Sequence, residues 1–162
     1  MEIENIKLKR TTSEDPSFQQ LILMLDADLR HRNGLLMDVY DKHNVIKRNE
    51  TVLLAYISKE AAGCGCFKAV DNTSIEIKRM FVHPDFRGRG VSWKILRELE
   101  NWAKELGYQY TILETGQKQN EAISLYTKVG YSRIPNYGPY KDMPNSLCFG
   151  KQLNLFVITL KH

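Results

Sequence analysis

One stretch constrains this chain more than any other: Met80-Phe-Val-His-Pro-Asp-Phe-Arg-Gly-Arg-Gly-Val-Ser-Trp-Lys-Ile-Leu96. An apolar run enters a proline-containing turn, crosses two glycines and opens a helix. Along that helix Val91, Ile95, Leu96, Leu99, Trp102, Ala103 and Leu106 fall on one face, and Gly107 supplies the stop. Glycines at a helix start let the backbone turn sharply and come close to a ligand. Amides from about Gly88 to Trp93 then point outward at the positive end of the helix dipole, with Arg87 and Arg89 adding charge. Several donors converging on a small volume suit a pyrophosphate.

Around this segment the chain alternates between strand and helix patterns. Residues 2–10 read as a strand, Asp15 and Pro16 as the cap and first position of a helix running to about Arg32, with Phe18, Leu21, Ile22, Leu25 and Leu29 at helical spacing. Asn33-Gly34 marks its end. Residues 51–57, 63–70 and 74–82 read as three strands joined by short turns at Lys59-Glu60 and Asp71–Thr73, which makes them antiparallel neighbours. Strand 108–114, helix 120–129, strand 131–134 and, after a loop from Pro135 to Pro144, strand-like runs at 146–150 and 153–160 complete the order. The pattern predicts an α/β fold with a mixed, mostly antiparallel sheet flanked by helices.

At 162 residues, without repeats or a linker, the expectation is a single domain spanning 1–162. No run approaches the ~18 apolar residues of a membrane span, and the start lacks the order of a secretory signal, so a cytoplasmic protein without membrane attachment is expected. The three cysteines, Cys64, Cys66 and Cys148, are an odd count. They read as buried strand residues, with no disulfide framework and no metal site, because no Cys or His pair stands at ligand spacing. A net charge of +4 and pI ≈ 8.9, with basic and acidic residues interleaved, do not call for nucleic acid; a small polyanion fits as well.

Arg87-Gly-Arg-Gly90-Val-Ser92 resembles the Gln/Arg-x-x-Gly-x-Gly/Ala motif of the GCN5-related N-acetyltransferases (GNAT superfamily). Val82-His-Pro-Asp-Phe86 before it and Ala122-Ile-Ser-Leu-Tyr126-Thr-Lys-Val-Gly-Tyr131 after it fall at that family's spacings, and two motifs in register are a far more specific signal than one glycine-rich hexapeptide. The chain departs from the pattern at Ser92, where the family has Gly or Ala, and at Gln119, where many members have Asn. Within the family it is similar to a bacterial subgroup sharing Leu25-Asp-Ala-Asp-Leu29, Gly63-Cys-Gly65, Glu76–Met80, Leu113-Glu-Thr-Gly116 and Ile134–Tyr140.

The resemblance implies acetyl-CoA as co-substrate, no metal, and acetyl transfer to a primary amine of a small molecule or peptide by direct attack. It implies cofactor contacts from the backbone of Phe81 and Val82, from Arg87, Gly88, Arg89, Gly90, Val91, Ser92 and Trp93, and from Asn120, for which helix capping is an equal explanation. Tyr126 matches the family's proton donor to the departing thiolate, set against a tyrosine merely packed under the sheet. Deprotonating the ammonium calls for an acceptor. Glu76, at the position of the catalytic Glu of the histone-acetylating branch, is one; an exposed charge paired across its strand, or a water relay, is the alternative. Tyr40, Asn44, Tyr137 and Tyr140 are candidates for the acceptor pocket, each weighed against loop anchoring. His83 reads as a turn residue and Arg79 as an ion-pair partner. A longer acyl-CoA donor, a non-catalytic CoA-binding sensor and a nucleic-acid binder stand as rival readings, and the chain is expected as monomer or homodimer.

Overall fold

The computed structural model describes residues 5–33 and 48–153. In chain order the elements are β1 (Ile6–Thr11), α1 (Pro16–Asn33), β2 (Val52–Ile57), β3 (Glu60–Ala69), β4 (Ser74–Val82), a 3-10 turn (Pro84–Phe86), α2 (Val91–Glu105), β5 (Tyr110–Gly116), α3 (Asn120–Lys128), β6 (Ser132–Ile134), a second 3-10 turn (Gly138–Tyr140) and β7 (Ser146–Gln152). Hydrogen-bonded neighbours follow the order β1-β2-β3-β4-β5-β7-β6. β4 and β5 run parallel, whereas β1/β2, β2/β3, β5/β7 and β6/β7 are antiparallel. This is the expected α/β fold with a mixed, mostly antiparallel sheet.

Boundaries move where tight local hydrogen bonds decide them. The β2–β3 turn contracts to Ser58-Lys59, both left-handed (φ 51° and 71°), so β3 starts at Glu60 opposite Ile57 and not at 63. β5 starts at Tyr110, because Gly107 and Tyr108 still donate to Lys104 and Ala103 at the end of α2, with Gly107 at φ 94°. β7 runs on to Gln152, and the Leu153 N–H donates to the Gln109 carbonyl at 2.8 Å. The rest of the strand expected over 153–160, like residues 2–4 of the first expected strand, lies outside the described residues. Among the described residues no helix is long and apolar enough to cross a membrane.

The chain divides into two compact units, Met1–Phe67 with Arg79–Leu99 and Lys68–Lys78 with Glu100–His162. In the first unit, Asp15 Oδ1 accepts the Ser17 N–H at 2.9 Å, capping α1 with Pro16 at its first position. Phe18, Leu21 and Leu25 of that helix bury against Val52, Leu54, Cys64, Cys66 and Phe81, with Ile22 and Leu29 packed at the margin. Side chains alternate along β3, so Cys64 and Cys66 join this core while Gly63 and Gly65 face the other way, toward α2. A Cβ at Gly63 would stand 2.8 Å from the Phe81 carbonyl oxygen and 3.0 Å from Val91 and Ile95. A Cβ at Gly65 would meet Met80 Sδ at 2.7 Å and Ile95 and Leu99 at 3.0 Å. Both glycines are therefore demanded by the closeness of a helix and not by backbone conformation.

In the second unit β5 is central, pairing Tyr110–Leu113 with Ser74–Ile77 and its whole length with β7. Thr111 and Tyr131 share a hydroxyl hydrogen bond of 2.6 Å, Tyr131 donates to Glu100 at 2.8 Å, and Lys151 pairs with the other Glu100 oxygen at 3.0 Å. Every member of this network is satisfied, so its burial costs little and fixes one arrangement of the elements it joins.

Replacing Gly63 with Ala forces a methyl against a backbone oxygen that cannot swing aside, so Gly63→Ala should lower stability by about 1–3 kcal/mol. Urea unfolding followed by circular dichroism measures it.

Candidate active site

The segment singled out by the sequence folds as a loop and helix start within the first unit. His83 caps the 3-10 turn, its Nδ1 accepting the Asp85 N–H at 3.0 Å, which bears out its reading as a turn residue. Gly88 and Gly90 follow with φ of 78° and 82°, and nothing lies within 4 Å of where their Cβ atoms would be. Here conformation, not crowding, demands glycine, and the open space leaves room for a ligand. Lys94 donates to the Gly90 carbonyl at 3.1 Å, making Gly90 the residue from which α2 springs. The amides of Val91, Ser92 and Trp93 belong to the first turn, whose N–H groups have no intrahelical acceptor. Arg87, Gly88, Arg89 and Gly90 are exposed, as is Trp93, with Arg97 stacked over its ring. Arg89 lies over Phe86, while Arg87 lies over Phe81 and donates from Nε to the Val82 carbonyl at 2.9 Å. The donors, charges and open glycines fit the pyrophosphate of a coenzyme A thioester.

Immediately before this loop, Arg79 takes a left-handed conformation (φ 59°) inside β4, which only a surrounding that over-determines it can hold. Its Nη1 donates to Asp26 Oδ1 of α1 at 2.6 Å, and its carbonyl accepts the Cys64 thiol at 3.4 Å. The ion-pair reading of Arg79 is what the structure has. Burial pushes the Cys64 thiol far up, so it stays a structural SH.

The second unit holds the candidate chemistry of proton transfer. Tyr126 is buried on α3, its ring tilted against Tyr131 at 5.8 Å and Phe149 at 6.2 Å. Burial, with Glu114 adding to it, raises its phenol pKa, so the hydroxyl keeps its proton at any physiological pH. Glu76 is also buried, not the exposed charge weighed above. It accepts a hydrogen bond from Tyr137 at 2.9 Å and faces Lys68 at 3.8 Å. Burial and the Glu76 charge raise the Tyr137 pKa as well, leaving that phenol a donor only.

Of the proposed pocket residues, Tyr137 contacts Glu76, and Tyr140 is almost wholly buried, stacked edge-on against Tyr137 at 5.7 Å and accepting from Lys78 Nζ at 3.4 Å. Tyr140 thus anchors the loop that carries Tyr137. Tyr40 and Asn44 lie outside the described residues. Asn120 is the first residue of α3 and exposed, and the N-cap is Gln119, without a side-chain cap bond; the capping explanation for Asn120 does not hold.

Sequence reasoning missed Glu114. It stands on β5 opposite Cys148 of β7, and its Oε2 is buried without any hydrogen-bond partner. Burial pushes its carboxyl up from the ordinary 4.5 to about 7, with the Glu76 charge adding to the rise, while a hydrogen bond with Ser146 and the Lys78 charge pull the other way. The one signal available was a carboxylate set between the apolar and β-branched residues of a strand, Thr111 to Thr115.

An anion site opening a helix, on a mixed sheet of this strand order, is the framework of an acyl-CoA-dependent N-acyltransferase. The chain belongs to the acetyltransferase (GNAT) family, whose sequence pattern matches residues 16–131. It is 33% identical over 156 residues to an "IAA acetyltransferase" of Azospirillum brasilense, covering 92% of this chain and 99% of that one. A provisionally assigned acyl-CoA N-acyltransferase of Klebsiella pneumoniae, 30% identical, superposes with a TM-score of 0.76 over 91% of this chain and 97% of its own. A GNAT acetyltransferase of Elizabethkingia anophelis with acetyl-CoA bound shares the fold at 21% identity, TM-score 0.67, over 92% and 99% of the two chains. The protein is an N-acetyltransferase of a family that uses acetyl-CoA and modifies amines.

Two outcomes follow from this geometry. An alanine at Gly90 meets no neighbour but is strained by about 1–3 kcal/mol at φ 82°, so the loop relaxes away from its shape. Gly90→Ala should weaken acetyl-CoA binding by about tenfold or more in calorimetry. Glu114 acts on stability in the opposite sense to a salt-bridged acid. The unfolded chain releases its proton near 4.5 and the folded chain near 7, so its contribution is intact below 4.5, is lost across that interval and stays lost above it. Glu114→Gln should therefore stabilise the protein by ~2–3 kcal/mol at pH 8, after discount for partial exposure, and by almost nothing at pH 4, as read from denaturant midpoints.

Proposed function

We propose that this enzyme transfers the acetyl group of acetyl-CoA directly to a primary amine of a small molecule or peptide. The observation that carries the reading is the Arg87–Ser92 loop, with its two open left-handed glycines at the start of α2. The bound thioester supplies the activated carbonyl carbon. Amides of Val91, Ser92 and Trp93, with Arg87 and Arg89, hold the pyrophosphate. Backbone groups of Phe81 and Val82 steady the pantetheine arm, and the Val82 carbonyl is already engaged by Arg87. Asn120, exposed and free of a capping duty, contributes a polar contact to the same ligand.

The chain's own residues then manage protons. An acceptor amine arrives charged at neutral pH and attacks only once it has lost a proton. The buried carboxylates of the second unit, Glu76 and Glu114, attract the ammonium and relieve it of that proton. Tyr126, held protonated, is the donor that neutralises the departing thiolate, which a low-dielectric setting otherwise disfavours. Tyr137 keeps Glu76 oriented and walls the acceptor side.

Acetyl-CoA should release thiol in the presence of a panel of primary amines. Tyr126→Phe should retain acetyl-CoA binding while its kcat falls about 10²–10³-fold. Amine-independent binding without thiol release across the panel would instead favour a CoA-binding sensor, and faster turnover of longer acyl-CoA donors would reassign the acyl group.

A further inference from the structure

Glu76 and Glu114 are the two carboxylates of the second unit that the reaction can call on, and their surroundings differ. Both lone-pair faces of Glu76 are committed, one oxygen to the Tyr137 hydroxyl at 2.9 Å and the other toward the Lys68 ammonium at 3.8 Å. Those contacts favour its charged form and occupy the electron pairs a proton would need. Glu114 is the reverse case. Its Oε2 is buried and accepts nothing, an arrangement that costs roughly 1–3 kcal/mol and is kept in native structures where it serves a purpose. The groups that act on it come from three elements: Glu76 and Lys78 on β4, Tyr126 on α3, and Ser146 and Cys148 on β7.

Resting on the N-acetyltransferase reading above, we propose that Glu114 is the proton acceptor for the acceptor ammonium, its unpartnered Oε2 taking the proton, while Glu76 stays ionised and draws the ammonium in. In the step an N–H bond breaks, an O–H bond forms on Glu114, and the electron pair left on nitrogen becomes the nucleophile. Over the whole reaction the nitrogen sheds two protons. One finishes on the leaving sulfur through Tyr126, and the other reaches water from Glu114, which resets the carboxylate. The division of labour follows from the contacts: an acceptor must have an empty lone pair and an affinity for protons near working pH, and only Glu114 has both.

The identity of the acceptor class follows too. Glu114 is flanked by Lys78 and Glu76 by Lys68, so each carboxylate already has one cation, and the region offers an incoming ligand little surplus negative charge. A monoamine is therefore the matching ligand, in preference to a polyamine.

Two readouts test this. In protein labelled at the glutamate carboxyl carbons, one resonance should titrate near pH 7 and be missing from Glu114→Gln. In steady-state kinetics with whichever panel amine releases thiol fastest, kcat/KM should fall tenfold per pH unit below that value. Glu114→Gln should lose that limb and drop at least 10²-fold with acetyl-CoA binding retained, whereas Glu114→Asp should keep a limb at reduced rate. Glu76→Gln should move the limb to lower pH, since a neighbouring negative charge is gone, and Lys78→Met should move it up. A Glu114 resonance titrating in the ordinary carboxylate range, or a Glu114→Gln enzyme that keeps the limb, overturns the proposal while leaving the transferase reading intact. Bound acetyl-CoA with no thiol release on any amine removes that reading and this one with it. Spermidine outcompeting all monoamines would overturn the acceptor class alone.

Discussion

The contact between α2 and two glycines of β3 is the constraint on which the cofactor loop depends. Val91, Ile95 and Leu99 sit where a Cβ on Gly63 or Gly65 would be, so the helix is pressed onto the strand about as closely as backbone allows. Leu96 and Ala103 add to its buried face. A helix fixed that tightly has a fixed first turn, and it is the first turn that presents the amides of Val91, Ser92 and Trp93. The alternation of β3 makes this economical, because the intervening Cys64 and Cys66 fill the opposite core under α1. Small residues on one face and soft, compact ones on the other let a single strand serve two packing problems.

The second unit is organised on a different principle. Its polar groups are mostly paired to completion, as in the Thr111, Tyr131, Glu100 and Lys151 network, where each acceptor has its donor. Against that background Glu114 stands out as incompletely satisfied, and the cost falls on the folded state above neutral pH. A fold selected only for stability would exchange this carboxylate for an amide. Keeping it is the trade between stability and activity that reactive sites commonly show.

How much was legible in the sequence depended on whether the signal was local. The helix face of α2, the Asp15-Pro16 start of α1 and the left-handed glycines of the loop are properties of consecutive residues, and the sequence carried them directly. Tyr126 and Glu76 stood out through motif register, and the structure adds burial and partners to both. Glu114 was passed over because its character is entirely non-local: β4 supplies the charges, α3 the apolar cover and β7 the hydroxyl, none of which strand periodicity reveals. Asn120 went astray for the complementary reason. Asparagine at a helix start has a strong local explanation, and the actual boundary, one residue earlier at Gln119, removed it. The turn at Ser58-Lys59 shows the same limit, since neither residue announces positive φ as Asn-Gly does.

The loop between β6 and β7 rests on one side chain. The Asn136 amide nitrogen donates to the carbonyls of Tyr140 at 3.1 Å, Met143 at 3.1 Å and Ser146 at 3.0 Å. All three acceptors are main chain, so the brace is indifferent to which side chains the loop displays. Gly138, Pro139, Lys141 and Asp142, at its exposed rim, are free to drift in sequence without disturbing the path that delivers Tyr137 to Glu76. Divergence in what the enzyme acetylates can therefore accumulate on this rim by ordinary neutral substitution, with the proton-handling residues behind it held in place by a contact that mutation of the rim does not touch.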